Sequence, residues 1–189
     1  MEIKCLKCGR SGDFAMMKTI LPEDRDKLYS MDVFNYTCPD CGHKTNIEYD
    51  TAYFDEEKKQ IVIFGGSSLI DQITDDYLVR IVQTESQLAE KVHILEKERD
   101  DRIIELMKII ITAGLMGDSK EPDFAVVYDV YEDNEQFAVV KESGELFILK
   151  WNEELYQSVL ENYQDKLPPM RNRDDLIVDG AWAVQMMSM

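Results

Sequence analysis

Every cysteine in the chain belongs to one of two short units, Cys5-Leu6-Lys7-Cys8-Gly9 and Cys38-Pro39-Asp40-Cys41-Gly42. Thiolates placed this way can reach one metal ion from a single tight turn, and the glycine that follows lets the backbone reverse and aim amides at the sulfurs. Two such turns supply a tetrahedral set of four sulfurs at about 2.3 Å, a closed structural site. The pattern predicts one structural zinc ion held by Cys5, Cys8, Cys38 and Cys41. Residues 9–37 separate the pairs, more than the roughly 15–20 usual between such pairs, so a segment is inserted between the knuckles.

Three rival readings are weaker. Disulfides belong to oxidising compartments, and here the N-terminus runs straight into the first knuckle, leaving no room for a targeting segment. A thioredoxin-like redox motif needs Cys5 at the start of a helix inside a βαβ unit, and Gly9, Ser11 and Gly12 would break that helix. Unrelated buried cysteines would not be expected to fall into two C-x-x-C-G units. His43 could replace a thiolate, but beside four cysteines it reads as a solvated neighbour of the second knuckle.

Other chemistry is sparse. There are only two histidines, His43 and His93, and His93 falls in mid-helix, where a packing or surface role fits. Gly65-Gly66-Ser67-Ser68 lacks the lysine and spacing of a phosphate-binding loop. Carboxylates are so abundant that no pair stands out as acid and base. Asp100, Asp101 and Glu105 could hold a second cation, although a charged helix surface is the simpler account. The sequence therefore leans away from an enzyme.

Composition narrows the class. The chain has 189 residues, is 44% hydrophobic and carries a net charge of −17. That is enough apolar material for a core, in one ordinary domain or two small ones. Such a charge opposes binding to phosphate backbones or anionic lipid unless a local basic face exists. Lys4, Lys7, Arg10 and Lys18 against Glu2 and Asp13 form a mild basic excess, which keeps a nucleic-acid-binding zinc ribbon as an alternative. The apolar run at Ile109–Ile111 is far short of the ~20 residues needed to span a bilayer, and a cytoplasmic location is expected.

The elements that must position the cysteines read as short strands. Strands are expected over residues 14–20, 33–36, 45–54 and 60–64, with a short helix over Pro22–Leu28 whose early proline and acids suit a helix start. Residues 67–79 read as a transition with room for a short helical turn. From Ile81 the period becomes helical: Ile81, Leu88, Val92 and Leu95 share one stripe, and Ile103, Leu106, Met107 and Ile110 share another. Thr84 and Gln87 resemble a capping box. Either one helix runs to about Ala113 or the run bends near residues 98–101; Asp100 can cap a second helix, which favours two helices packed as a hairpin, with Gly114 ending the run. The stripes read as core, although a long amphipathic helix can also build a dimer contact. After a linker over 116–122, three β runs follow at 124–130, 136–140 and 145–151. A helix capped by Asn152 runs to about Tyr163, a charged loop spans 171–175, and a last strand is expected over Leu176–Met187. Residues 121–165 hold twelve acids against Lys141 and Lys150, a solvated face that can also bind a basic partner or cations.

With these motifs placed, the chain resembles the CpXC family. The resemblance rests on Cys38-Pro39-Asp40-Cys41-Gly42-His43-Lys44 after Val33-Phe34, and on the Tyr49-x-x-x-Tyr53-Phe54-Asp55 segment leading to Glu57-Lys58-Lys59. It also rests on the helical stretches Leu88–Glu96 and Asp101–Lys108, so it covers roughly the first two thirds of the chain. Leu6 stands where the family motif has proline, which removes a turn stiffener but no ligand. The resemblance implies a metal-binding domain of bacteria and archaea and supplies no established activity. The expected architecture is α+β: a zinc-ribbon-like antiparallel β unit over 1–66, a helical pair over 67–115, and a C-terminal sheet with one helix over 120–189. The expected role is a zinc-stabilised binding or scaffold protein with a protein partner or a second copy of itself, a thiol redox sensor being a further alternative.

Overall fold

The computed structural model describes residues 1–66, 73–117, 122–171 and 174–188. These residues form an α+β protein of five α-helices and four small sheets. The chain divides into two compact units, Met1–Ala89 and Glu90–Met189.

The first unit begins with two antiparallel hairpins whose turns are the two cysteine units. Strand β1 (Glu2–Lys4) pairs with β2 (Ser11–Asp13) around the first. The segment between the hairpins holds β3 (Thr19–Ile20), a 3-10 turn (Pro22–Asp24) and α1 (Arg25–Tyr29). Strand β4 (Asn35–Thr37) then pairs with β5 (Lys44–Asn46) around the second cysteine unit. A four-stranded sheet follows, in the order β3, β6 (Thr51–Asp55), β7 (Gln60–Phe64), β8 (Leu78–Val82). It is mixed: β6 and β7 are antiparallel, while β3 runs parallel to β6 and β8 parallel to β7.

Two expected strands are interrupted for the same reason. The run over 14–20 shortens to β3, and the run over 45–54 splits into β5 and β6. Side chains replace the missing ladder: the Met17 amide donates to the Tyr49 hydroxyl at 3.1 Å, and the Thr51 hydroxyl donates to the Met17 carbonyl at 2.6 Å. Tyr49 in turn donates to the Val33 carbonyl at 2.6 Å. Strand β8 corrects the helical reading of Ile81. Residues 78–82 pair beside the central β7, and both strands are buried on both faces. A strand covered on both sides shows a near-continuous apolar run without alternation, so Ile81 could be mistaken for the first member of a helical stripe. Of the transition with its helical turn, residues 67–72 lie outside the described residues.

Helix α2 (Glu85–Glu96) starts in the first unit and continues into the second. Its start is a reciprocal capping box: the Gln87 amide donates to the Thr84 hydroxyl at 3.1 Å, and the Gln87 side-chain oxygen accepts the Thr84 amide at 3.2 Å.

In the second unit, α3 (Asp101–Met116) is capped by Asp100, whose side chain accepts the Arg102 amide. The two-helix reading holds, but the stop is Gly117 at φ 55°, not Gly114. The three expected strands are present as β9 (Phe124–Tyr131), β10 (Asn134–Lys141) and β11 (Leu146–Lys150), an antiparallel sheet in the order β11-β10-β9. Glu132 and Asp133, at φ 47° and 64°, make the two-residue turn that suits the twist of a hairpin. Helix α4 (Glu153–Tyr163) is capped by Asn152, which accepts the Leu155 amide. The expected last strand is instead helix α5 (Gly180–Met187), started by Asp179, which accepts the Trp182 amide. A short cap residue ahead of a run of good helix formers outweighed the β-branched Ile177 and Val178. Of the linker and the charged loop, residues 118–121, 172 and 173 lie outside the described residues.

The core of this unit joins Ile103, Ile104, Leu106 and Met107 of α3 to Val126, Tyr128, Phe137 and Val139 of the sheet and Tyr156 and Val159 of α4. Trp151 stacks on Phe137 and meets Tyr128 edge-on, each at 6.0 Å. The Arg99 guanidinium lies over the Trp151 ring at 4.6 Å and is clamped by Glu135 at 2.7 Å and Glu153 at 2.9 Å.

Candidate metal centre

The hairpin turns that carry the cysteines are built alike. In the first, the Cys5 amide donates to the Arg10 carbonyl at 2.8 Å and the Gly9 amide donates to the Cys5 carbonyl at 2.9 Å. In the second, the Cys38 amide donates to the His43 carbonyl and the Gly42 amide to the Cys38 carbonyl, both at 2.9 Å. Gly9 and Gly42 stand at φ 76° and 67°. Open space surrounds a Cβ built at either position, so the left-handed backbone, not crowding, is what requires glycine.

This shared geometry turns all four sulfurs inward. Cys5 Sγ lies 3.6 Å from Cys41 Sγ, and Cys8 Sγ lies 3.6 Å from Cys38 Sγ. All four lie within 4.8 Å of one another. A tetrahedron of sulfurs with bonds of about 2.3 Å has edges of about 3.8 Å, so the cross-hairpin edges fit a common ion. They are far too long for disulfides of about 2.05 Å, and all four cysteines are free. Cys5 and Cys38 are buried, Cys41 is half-buried and Cys8 is exposed.

The electrostatics of the bare sulfurs also call for a cation. The Cys8 amide, opposed by burial and helped by the Lys7 amide, draws the Cys5 thiol down from 9.0 to about 7. At Cys8 the Arg10 amide pulls the same way, but burial and the hydrogen bonds to Cys38, Cys41 and Cys5 push the thiol up to about 12. Cys41 is also raised: the His43 amide favours its thiolate, while burial and contacts with Cys5 and Cys38 resist it. Sulfurs this close cannot all be anionic without compensation. A dication removes that conflict, so the donor set suits a soft metal ion in a closed site.

Two further residues join the hairpins. Arg10 reaches Asp40 at 3.1 Å, linking the two turns. The pair is largely exposed, so it contributes little energy and serves mainly to align the turns. Their opposite charges at the two turns were the only signal for it in the sequence. Tyr36 of β4 is buried against Gly12 of β2, and a Cβ at Gly12 would collide with its hydroxyl. Burial and the nearby Cys38, Cys5 and Cys8 raise the Tyr36 pKa.

The other candidate groups go elsewhere. Asp101 and Glu105 are not a charged helix surface but are almost wholly buried, and the cation they hold is an ammonium. Lys91 Nζ lies 3.1 Å from Asp101 and 3.4 Å from Glu105, and donates to the Val178 carbonyl at 2.8 Å. Lys108 reaches Glu90 at 3.0 Å and Glu105 at 3.1 Å, and Glu90 accepts the Tyr128 amide at 2.7 Å. Burial opposes the charge on Lys108, but Glu90 and Glu105 outweigh it and raise its pKa. His93 is half-buried in α2, and burial lowers its pKa. Of the basic residues near the N-terminus, Arg10 is paired as above, and Lys18 lies over the Tyr49 ring at 5.3 Å.

The fold and site together define an α+β protein whose N-terminal hairpins gather four cysteines into a tetrahedral-like cluster able to hold a metal ion. Comparison with protein families matches residues 3–108, more than half of the chain, to the family described as CpXC protein, and the chain belongs to that family. No curated protein and no solved structure matches it. Among the described residues, no helix is long and apolar enough to cross a membrane. Membership and the cluster point to metal binding.

Proposed function

We propose that this protein is a non-enzymatic, zinc-stabilised binding or scaffold protein, acting through protein–protein contacts or self-association in the cytoplasm. The observation that carries the reading is the convergence of Cys5, Cys8, Cys38 and Cys41, with 3.6 Å edges between the hairpins. Four thiolates in tetrahedral array select zinc over the hard divalent cations, and four protein ligands leave no open position for a substrate. The ion would serve the fold: β1, β2, β4 and β5 are three residues each, and a two-stranded hairpin of that size is not stable alone. The alternatives have less behind them. A nucleic-acid-binding ribbon would use a basic face from which Arg10 and Lys18 are already engaged. A thiol sensor needs an accessible acidic sulfur, whereas Cys5, the thiol drawn down to about 7, is buried.

The test is native mass spectrometry of untagged protein prepared without chelator. One zinc per chain is expected, with the subunit number read from the same spectrum. A metal-free chain with intact amide dispersion over residues 1–66 would overturn the proposal.

A further inference from the structure

The three-stranded sheet of the second unit has two unlike edges. At the β9 edge, Glu90 accepts the Tyr128 amide at 2.7 Å, so a side chain caps the strand. At the other edge, β11 pairs only with β10 among the described residues. The bond from the Lys141 amide to the Glu145 carbonyl, 2.9 Å, fixes the alternation of the ladder. Residues 147 and 149 therefore turn their backbone groups toward β10. Leu146, Ile148 and Lys150 present theirs to the open edge.

The side chains of β11 do not suit a solvent edge. Leu146 is 59% exposed, Phe147 42% and Ile148 47%, so the strand is apolar on both faces. Edge strands are normally guarded by a proline, a bulge or an inward-pointing charge. Residues 146–149 contain none of these. A strand that is apolar on both sides and open at one edge has the pattern of an interior strand.

We propose that β11 pairs with β11 of a second copy, antiparallel across a two-fold axis, joining two three-stranded sheets into one of six. This names the surface for the self-association reading above and rests on it. The occupant follows from the strand itself. A two-fold through Ile148 overlaps all five residues, placing Ile148 opposite Ile148 of the second copy, Phe147 opposite its Leu149, and Leu146 opposite its Lys150. In that register every outward backbone group of Leu146, Ile148 and Lys150 meets one of the same set, and an isologous contact closes at two copies. Charge agrees. Glu145, which already meets Lys141 at 2.9 Å, and Lys150 flank the apolar run, so antiparallel pairing adds the basic end of the other strand to each acidic end. A strand whose one charge is the basic Lys150 is also where a chain of net charge −17 can meet itself without direct repulsion.

The test uses the full metal-loaded chain in sedimentation equilibrium over a concentration series, with amide hydrogen exchange on the same samples. A dimer is expected, with the Leu146, Ile148 and Lys150 amides protected at high concentration and released on dilution. Ile148→Lys should weaken the dimer about 100-fold or more, because it replaces a cross-strand isoleucine pair at the two-fold with two opposed lysines. Ala125→Lys, on β9 at the opposite edge of the sheet, should leave it intact. A wild-type dimer that survives Ile148→Lys, or whose three β11 amides exchange freely at every concentration, overturns the pairing and leaves self-association standing. Loss of the dimer in Ala125→Lys with exposed β11 amides assigns the contact to the sheet face and also overturns it. A monomer throughout overturns both the pairing and self-association, leaving the zinc reading to its own test.

Discussion

The two units solve the problem of holding together in different ways. Residues 1–89 carry 16 acids and 10 bases, and residues 90–189 carry 22 acids and 11 bases. The first unit opens with strands of two or three residues and closes its hairpins on four sulfurs. The second has two eight-residue strands, an aromatic cluster around Trp151, and buried ammonium–carboxylate pairs between its helices. A short hairpin buries too little to offset its ordering entropy, and a metal site supplies the missing free energy from outside the apolar core. A unit with longer strands needs no such device and can place charge inside, provided every charge is met. The contrast ties any dependence on a metal to the N-terminal end and not to the protein as a whole.

The sharpest way to break this contrast is to remove the ion. Chelation, acidification that protonates the thiolates, or Cys38→Ser should withdraw a contribution of about 10–16 kcal/mol. Amide exchange should then lose protection across β1, β2, β4 and β5 while β9 and β10 keep theirs. Equal loss in both units would erase the distinction. Next in size is Lys91→Met, which takes the buried ammonium away from Asp101 and leaves Glu105 with Lys108. It should cost about 3–5 kcal/mol in a urea titration, without changing metal content. A neutral result would mean that the second unit does not depend on its internal charges.

Asn152→Ala removes the cap of α4 and should cost about 1 kcal/mol in the same titration. The smallest effect concerns His93. Burial lowers its pKa in the folded chain below 6.5, so folding favours the neutral ring. Above pH 6.5 the ring is neutral in both states and contributes no slope. As pH falls below 6.5, the unfolded chain takes up a proton that the folded chain resists, and stability declines until the folded value is reached. His93→Gln should remove that part of the slope. An unchanged profile would show that other groups carry it.

Local chemistry was legible in the sequence and tertiary burial was not. The cysteine pairs, the caps at Thr84, Asp100 and Asn152, and the turns after Tyr131 and Lys141 each depend on residues close together in the chain, and each was readable. The cluster geometry followed once the turns were known, because the two knuckles share one backbone pattern. Strand β8 was missed because its cover lies on both sides, which removes the alternation that marks a strand. Leu176–Met187 reads as a strand because apolar composition does not distinguish strand from helix, and the cap at Asp179 is the one local mark of the helix. Asp101 and Glu105 were read as solvated because their partner Lys91 sits on a different helix. No spacing rule connects them.

The position of the Trp151 stack has a spectroscopic consequence. The protein has two tryptophans, Trp151 and Trp182, and both belong to residues 90–189. Indole emission therefore watches only the unit without the cysteines, and the N-terminal hairpins carry only tyrosine and phenylalanine as native fluorophores. A melting curve recorded at tryptophan wavelengths will follow the aromatic cluster beneath Arg99 and stay silent on any metal release from the sulfurs.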